Sequence, residues 1–270
     1  MVRHRFSKHP LMANRTTTLP NPNALVTGAG DRIGAAIAHA LAEAGYAVVI
    51  HFRGNAEGAR ATRDQIRRAG GKAEIITADL VDRAARARLI ADAAALFGPL
   101  SVLVNNASLF NPDSAFDVDE GDWDDHFAIH AEAPVFLSRD FAAQLPQGVA
   151  GNIVNIIDER VLHLSPAYFS YTLSKAVLWT ATRTMAQTFA PAIRVNAIGP
   201  GPVLPHSRQD QATFEKHVDA LPLRDHAGPE AIAQGVLTLL HTPALTGQML
   251  ALDGGQHLEF PARRAPTPRS

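Results

Sequence analysis

Cysteine is absent from the 270-residue chain. That absence excludes disulfides, zinc–thiolate sites, iron–sulfur clusters and cysteine nucleophiles, all of which need a thiolate. An excess of either charge is missing too. The 25 Lys and Arg face 26 Asp and Glu, for a net charge of −1. A dedicated nucleic-acid binder carries a basic domain, so no nucleic-acid partner is expected. Long apolar runs are lacking. None approaches the ~18 residues a membrane span needs, and no membrane partner is expected. The N-terminal MVRHRFSKHPLMANRTTTLPNPN is basic and polar and has no apolar core of a secretory signal. Residues 1–22 read as a flexible basic extension, with a transit peptide as the alternative; a cytoplasmic location is the default. The Pro/Arg-rich residues 261–270 read as a flexible tail. The twelve histidines are read as lacking a helical metal-ligand spacing, and no metal is expected. Lysine is scarce, with Lys8, Lys72, Lys175 and Lys216 the whole set.

What the chain does have is apolar material, 46% of its residues against 19% charged, enough for a large core. Short apolar runs, many of them β-branched, read as buried parallel strands: Ala24–Thr27, Ala47–Phe52, Ala73–Thr77, Ser101–Val104, Asn152–Ile157, Arg194–Ile198 and Met249–Leu252. Longer Ala-rich stretches between them predict helices over Ile33–Ala44, Glu57–Ala69, Arg83–Leu96, Trp123–Gln144, Tyr168–Phe189 and Glu230–Leu240. The alternation implies right-handed βαβ units. The fold class is α/β: a single Rossmann-type domain over residues 23–260, a doubly wound parallel sheet of about seven strands with helices on both faces.

The first strand runs into Gly28-Ala29-Gly30-Asp31-Arg32-Ile33-Gly34. A glycine-rich turn lets the backbone approach a pyrophosphate, and the next helix N-terminus aims N–H groups at it. The spacing is G-x-G-x-x-x-G, with Ile33 where the usual third glycine falls. Its place between a strand and a helix points to a dinucleotide. The second strand selects which one. An Asp or Glu normally meets a ribose 2′-hydroxyl there. Here the end reads His51-Phe52-Arg53-Gly54-Asn55, with no carboxylate before Glu57. Arg53 suits a 2′-phosphate and Arg32 adds positive charge. NADPH is expected rather than NADH; the competing assignment for Arg53 is an ordinary solvated arginine.

Tyr171 and Lys175 stand at i, i+4, on one helix face about 6 Å apart. Three Tyr and four Lys in 270 residues give roughly 0.04 such pairs by chance placement. A nearby ammonium favours the phenolate, so Tyr171 is expected to serve as acid–base residue with a pKa below its usual ~10. Asp158 follows the fifth strand, 13 residues before Tyr171.

These residues resemble the short-chain dehydrogenase/reductase pattern, in chain order. The matching features are the Thr27–Gly34 turn, Asp79-Leu80, Asn105-Asn106-Ala107, Tyr171 with Lys175, Pro200-Gly201, and Leu245-Thr-Gly-Gln with Leu252-Asp-Gly-Gly255. The departures narrow the resemblance. Arg32 stands at the family's usual mid-turn glycine, Ser108 follows Asn-Asn-Ala, Asp158 replaces the usual catalytic serine, and His130 replaces an asparagine. The first three occur together in pteridine reductases, which also share the Asn105–Phe110 segment. His130 is similar to the bacterial dihydromonapterin/dihydrofolate reductase-like members.

The resemblance implies NADPH bound by Gly28, Arg32, Ile33, Phe52, Arg53, Asn55, Asp79, Leu80, Asn105, Ala107, Ser108, Tyr171, Lys175, Pro200 and Gly201. It implies a pterin or dihydrofolate substrate held by Arg32, Ser108, Phe110, Asp158 and Tyr171. Hydride would pass to the carbon of a C=N bond and Tyr171 would protonate the nitrogen. Lys175 would hold the nicotinamide ribose and tune Tyr171, and Asp158 would orient Tyr171 or relay protons. Phe110 would stack on the pterin. The competing assignments are a turn-capping Asp158, a core-packed Phe110 and a purely structural His130. The competing functions are a ketone reductase and a non-catalytic NADPH-binding sensor. The resemblance further implies a homotetramer, and a mobile lid over Leu204–Ala220.

Overall fold

The computed structural model describes residues 22–205 and 210–258. The expected extension before residue 22 and the expected tail lie outside the described residues, as do residues 206–209 of the expected lid. Seven strands form one sheet in the order β3-β2-β1-β4-β5-β6-β7, with every neighbouring pair parallel. They are β1 (Asn23–Val26), β2 (Ala47–Phe52), β3 (Lys72–Thr77), β4 (Val102–Asn105), β5 (Gly151–Ile156), β6 (Ile193–Pro200) and β7 (Met249–Leu252). The chain starts in the middle, walks out to β3, then returns to place β4 on the other side of β1. That reversal leaves a crevice at the carboxyl ends of β1 and β4, where open α/β sheets bind ligands.

The strands are apolar throughout because both faces are covered. Ala24 and Val26 pack with α1 (Arg32–Glu43), α2 (Ala56–Arg68) and α8 (Pro229–His241), through Ile37, Ile66 and Val236. Leu25, between them, points the other way. It packs with α3 (Arg83–Phe97), α5 (Ala133–Gln144) and α6 (Phe169–Phe189), through Leu89, Phe141 and Met185.

One sequence-based expectation changes. The single helix expected over Trp123–Gln144 is α4 (Glu120–Phe127), a wide π-type turn at Ala128–Glu132, and then α5. Asp119 starts it early by accepting from the N–H groups of Gly121 and Asp122 at 2.8 and 3.2 Å. Pro134 explains the turn: it has no N–H and its ring crowds the carbonyl four residues back, that of His130. The expected lid contains α7 (Gln211–Ala220), capped by Asp210, with Phe214 buried. No helix among the described residues is long and apolar enough to cross a membrane.

Candidate active site

The glycine turn after β1 is held by close packing. Gly28 has φ +63°, and a Cβ there would lie 2.8 Å from the Ala107 Cα. A Cβ on Gly34 would lie 2.2 Å from the Gly28 carbonyl oxygen. Both positions therefore require glycine, which is why the variant spacing works. Asn106, absent from the expected set, fixes the turn: its side-chain amide donates to the Thr27 and Gly28 carbonyls at 2.9 and 3.0 Å. Thr27 Oγ1 in turn accepts from the backbone N–H groups of Asn106 and Ala107. Its neighbour Asn105 turns into the sheet, donating to Asn155 at 2.8 Å. Asn105 is buried and is not among the residues lining the cavity over the turn.

His51 is the second residue the sequence reading missed. It is buried at the end of β2, where its Nδ1 accepts from the Gly28 N–H at 3.2 Å. Its Nε2–H donates to the Ala78 carbonyl at 3.0 Å. Burial lowers its pKa to about 4. A neutral imidazole thus ties the glycine turn to the end of β3. The reading of His51-Phe52-Arg53 took only the arginine, because a hydrogen bond between two distant turns leaves no local pattern.

A cavity of about 300 Å³ opens over this crevice, lined among others by Gly28, Ile33, Arg53, Leu80, Ala107 and Ser108. Arg53 stands at its edge, half-exposed and 4.0 Å from the Asp79 carboxylate. Arg32 also lines the cavity, with its backbone in the left-handed region at φ +49°. That is a conformation glycine adopts most readily. Its guanidinium donates to the Pro205 and Leu204 carbonyls at 3.0 and 3.4 Å, joining the turn to the segment after β6. Asn55 caps α2 by accepting from Gly58 N–H and donates to Asp31. Phe52 packs partly into the core. Pro200 and Gly201 lie at the end of β6 beside Asp253, outside the lining of this cavity. The donors and the cradle fit a phosphorylated dinucleotide: two glycines without space for a side chain, a helix N-terminus, and a guanidinium at the β2 end.

Past Ser108 lie the three residues expected to be catalytic, Asp158, Tyr171 and Lys175. The Tyr171 hydroxyl donates to Asp158 Oδ2 at 2.8 Å. Asp158 also accepts from the Arg160 N–H at 2.9 Å, and the Arg160 guanidinium stands 3.6 Å away. Lys175 is buried, its Nζ donating to the Ile156 carbonyl at 2.9 Å and lying 5.6 Å from the Tyr171 ring centre. The expected direction of the Tyr171 pKa is corrected. Burial first, then the Asp158 charge and its hydrogen bond, hold the phenol well above its usual value, against weaker pulls from Arg160 and Ser108. Burial brings the Lys175 ammonium down to about 8, with Asp158 opposing. Tyr171 therefore keeps its proton at neutral pH.

Aromatic rings surround this tyrosine. Phe110 meets it edge-on at 4.8 Å and stacks on Tyr168 at 4.1 Å, so Tyr168 covers one Phe110 face. His126 and His130 meet it edge-on at 5.9 and 5.1 Å. The reading that no histidines share a helical i, i+4 spacing is corrected, since these two do. Both ring Nε2 atoms face backbone N–H groups, of Asn111 and Leu109 respectively. Among the described residues, no group of three or more His, Cys, Asp or Glu is arranged to hold a metal.

A family model described as enoyl-(acyl carrier protein) reductase matches residues 28–257. The chain belongs to the short-chain dehydrogenase/reductase family. This oxidoreductase is 34% identical over 253 residues to an uncharacterized oxidoreductase of Mycobacterium tuberculosis, covering 91% of this chain and 95% of that protein. It is 31% identical to a 2-dehydro-3-deoxy-D-gluconate 5-dehydrogenase of Dickeya dadantii, covering 90% and 98%. Among solved structures it is similar to FolM alternative dihydrofolate reductase 1 of Brucella canis in complex with NADP. That pair shares 44% identity and a TM-score of 0.86, covering 95% of this chain and 98% of that one. The Brucella suis protein of the same name, also in complex with NADP, gives 45% and 0.86, covering 92% and 98%.

Proposed function

We propose that this oxidoreductase is an NADPH-dependent reductase of a C=N bond in a pterin or dihydrofolate-type substrate, with Tyr171 as proton donor. The observation that carries the reading is the carboxylate–phenol pair, Asp158 accepting from Tyr171 at 2.8 Å. NADPH supplies the hydride when bound. The chain's own residues then have to deliver one proton to the nitrogen next to the reduced carbon. A carboxylate beside the phenol keeps that proton in place at neutral pH. It also disfavours a lasting phenolate, so the tyrosine is reprotonated for the next turnover. A ketone oxygen and a ring nitrogen both need one delivered proton; a carboxylate at position 158, in place of a hydroxyl, adds an acceptor for the N–H donors with which a pterin ring is edged. Ser108 and Phe110 line the approach to Tyr171, one polar and one flat, as a heteroaromatic ring requires. The NADP complexes of the two Brucella proteins support the cofactor assignment. The α5 and α6 helices leave Phe136, Leu173 and Val177 exposed, which supports assembly through them into a homotetramer.

The deciding measurement is spectrophotometric NADPH oxidation with dihydrofolate, dihydrobiopterin and dihydromonapterin side by side with simple ketones. Turnover on at least one dihydropterin or dihydrofolate above that on ketones is expected. Faster turnover on simple carbonyls overturns the substrate class. Cofactor binding without oxidation on the whole panel overturns the enzymatic role. A second measurement tests the cofactor. Arg53→Ala is expected to raise KM for NADPH about tenfold, the worth of one charge-assisted phosphate contact, and to leave KM for NADH unchanged. An equal change for both refutes a 2′-phosphate contact.

A further inference from the structure

We infer that His126 and His130 are positioning residues, two neutral imidazole rungs that fix Phe110 and Tyr171 relative to each other. The geometry repeats with matching spacings. On the loop after β4, the N–H of Leu109 donates to His130 Nε2 at 3.1 Å and that of Asn111 donates to His126 Nε2 at 3.3 Å. On α6, His130 Nδ1 meets Ser174 Oγ at 2.9 Å and His126 Nδ1 meets Ser170 Oγ at 2.7 Å. The two loop amides are two residues apart; the two histidines and the two serines are each four apart. Alternate residues of an extended loop point oppositely. Using the N–H groups of 109 and 111 leaves Phe110 between the rungs, with its ring edge-on to Tyr171. Tyr171 itself lies between Ser170 and Ser174.

The donors fix both tautomers. Backbone N–H groups can only donate, so each Nε2 must be the unprotonated nitrogen. Each Nδ1–H then donates to its serine. The Ser174 hydroxyl donates to the Tyr171 carbonyl at 2.7 Å, and that of Ser170 donates to the Asp113 carboxylate. That carboxylate also accepts from the Ser170 N–H, capping the start of α6 with a residue of the same loop. Both imidazoles are neutral, their pKa values lowered by burial, and the rings stack 5.6 Å apart. A charged histidine would present N–H to the loop N–H in place of an acceptor; at His130, Ser108 Oγ, 2.9 Å from Nε2, would be the acceptor that remains.

The bracket rests on the proposed function only for its kinetic consequence. Imidazole ¹⁵N NMR of the wild-type protein at neutral pH tests it directly: both rings are expected as neutral Nδ1–H tautomers. Amide hydrogen exchange gives the second readout. The N–H groups of Leu109 and Asn111 are expected to be protected, and His126→Phe and His130→Phe are each expected to lose the matching protection. In the kinetic arm, His126→Phe raises substrate KM about tenfold, the worth of one buried hydrogen bond, with kcat and NADPH affinity little changed. His126→Gln, which keeps an acceptor near the Nε2 position, restores most of the loss. A charged or Nε2–H imidazole, unchanged amide exchange in the phenylalanine variants, or no rescue by glutamine overturns the bracket. If no dihydropterin is turned over yet tautomers and exchange are as expected, the substrate reading fails and the bracket stands.

Discussion

Tyr171→Phe is expected to lower kcat by about a thousandfold, the contribution of a well-placed general acid, while NADPH affinity stays near wild type. The change removes one oxygen and leaves the ring, so the edge contacts with Phe110, His126 and His130 persist. What it removes is the hydroxyl proton held against Asp158 Oδ2 at 2.8 Å. Asp158 keeps the Arg160 N–H and guanidinium as partners, so the loss is not a folding defect. Single-turnover measurement separates the two effects: the hydride-transfer rate should fall and the Kd for NADPH should not. Retained turnover would sink the assignment of Tyr171 as the acid. Because the phenol's pKa lies well above its usual value, the wild-type rate should also show no alkaline loss near pH 8 that can be assigned to tyrosine ionisation.

Acidification is expected to destabilise the fold through His51. Its imidazole titrates near pH 4 in the folded protein, against about 6.5 when unfolded. Above pH 6.5 both states are neutral and the contribution is complete. Below it, the unfolded chain takes up a proton that the folded chain refuses, so stability falls until about pH 4. The full difference is about 3 to 4 kcal/mol, or roughly two and a half decades in the folding equilibrium. Protonation at Nδ1 would also set N–H against the Gly28 N–H and open the cofactor turn. Urea unfolding of wild type and His51→Gln from pH 7 to pH 4.5 measures this. The stability gap between them should shift in favour of the variant as pH falls. A gap that stays flat over that range would show that His51 is not held neutral.

The α/β alternation, the strand–turn–helix at Gly28–Gly34 and the Tyr171–Lys175 pair were all legible along the chain. Each is a local pattern: a period of 2 against 3.6, a glycine where no side chain fits, two residues one helical turn apart. The broken helix at 120–144 was legible in principle, since Pro134 stands in the sequence, but its Ala-rich surroundings concealed it. His51, Asn106 and the histidine rungs were not legible, because their partners lie 15 to 79 residues away. The sequence by itself determined which chemical groups this protein has and which strand end or helix face each occupies. Only the tertiary structure decided their charge states. Tyr171 is governed by burial and by a carboxylate 13 residues upstream rather than by the lysine one turn on. A pKa answers to desolvation and through-space charge, and neither is written in the spacing of residues.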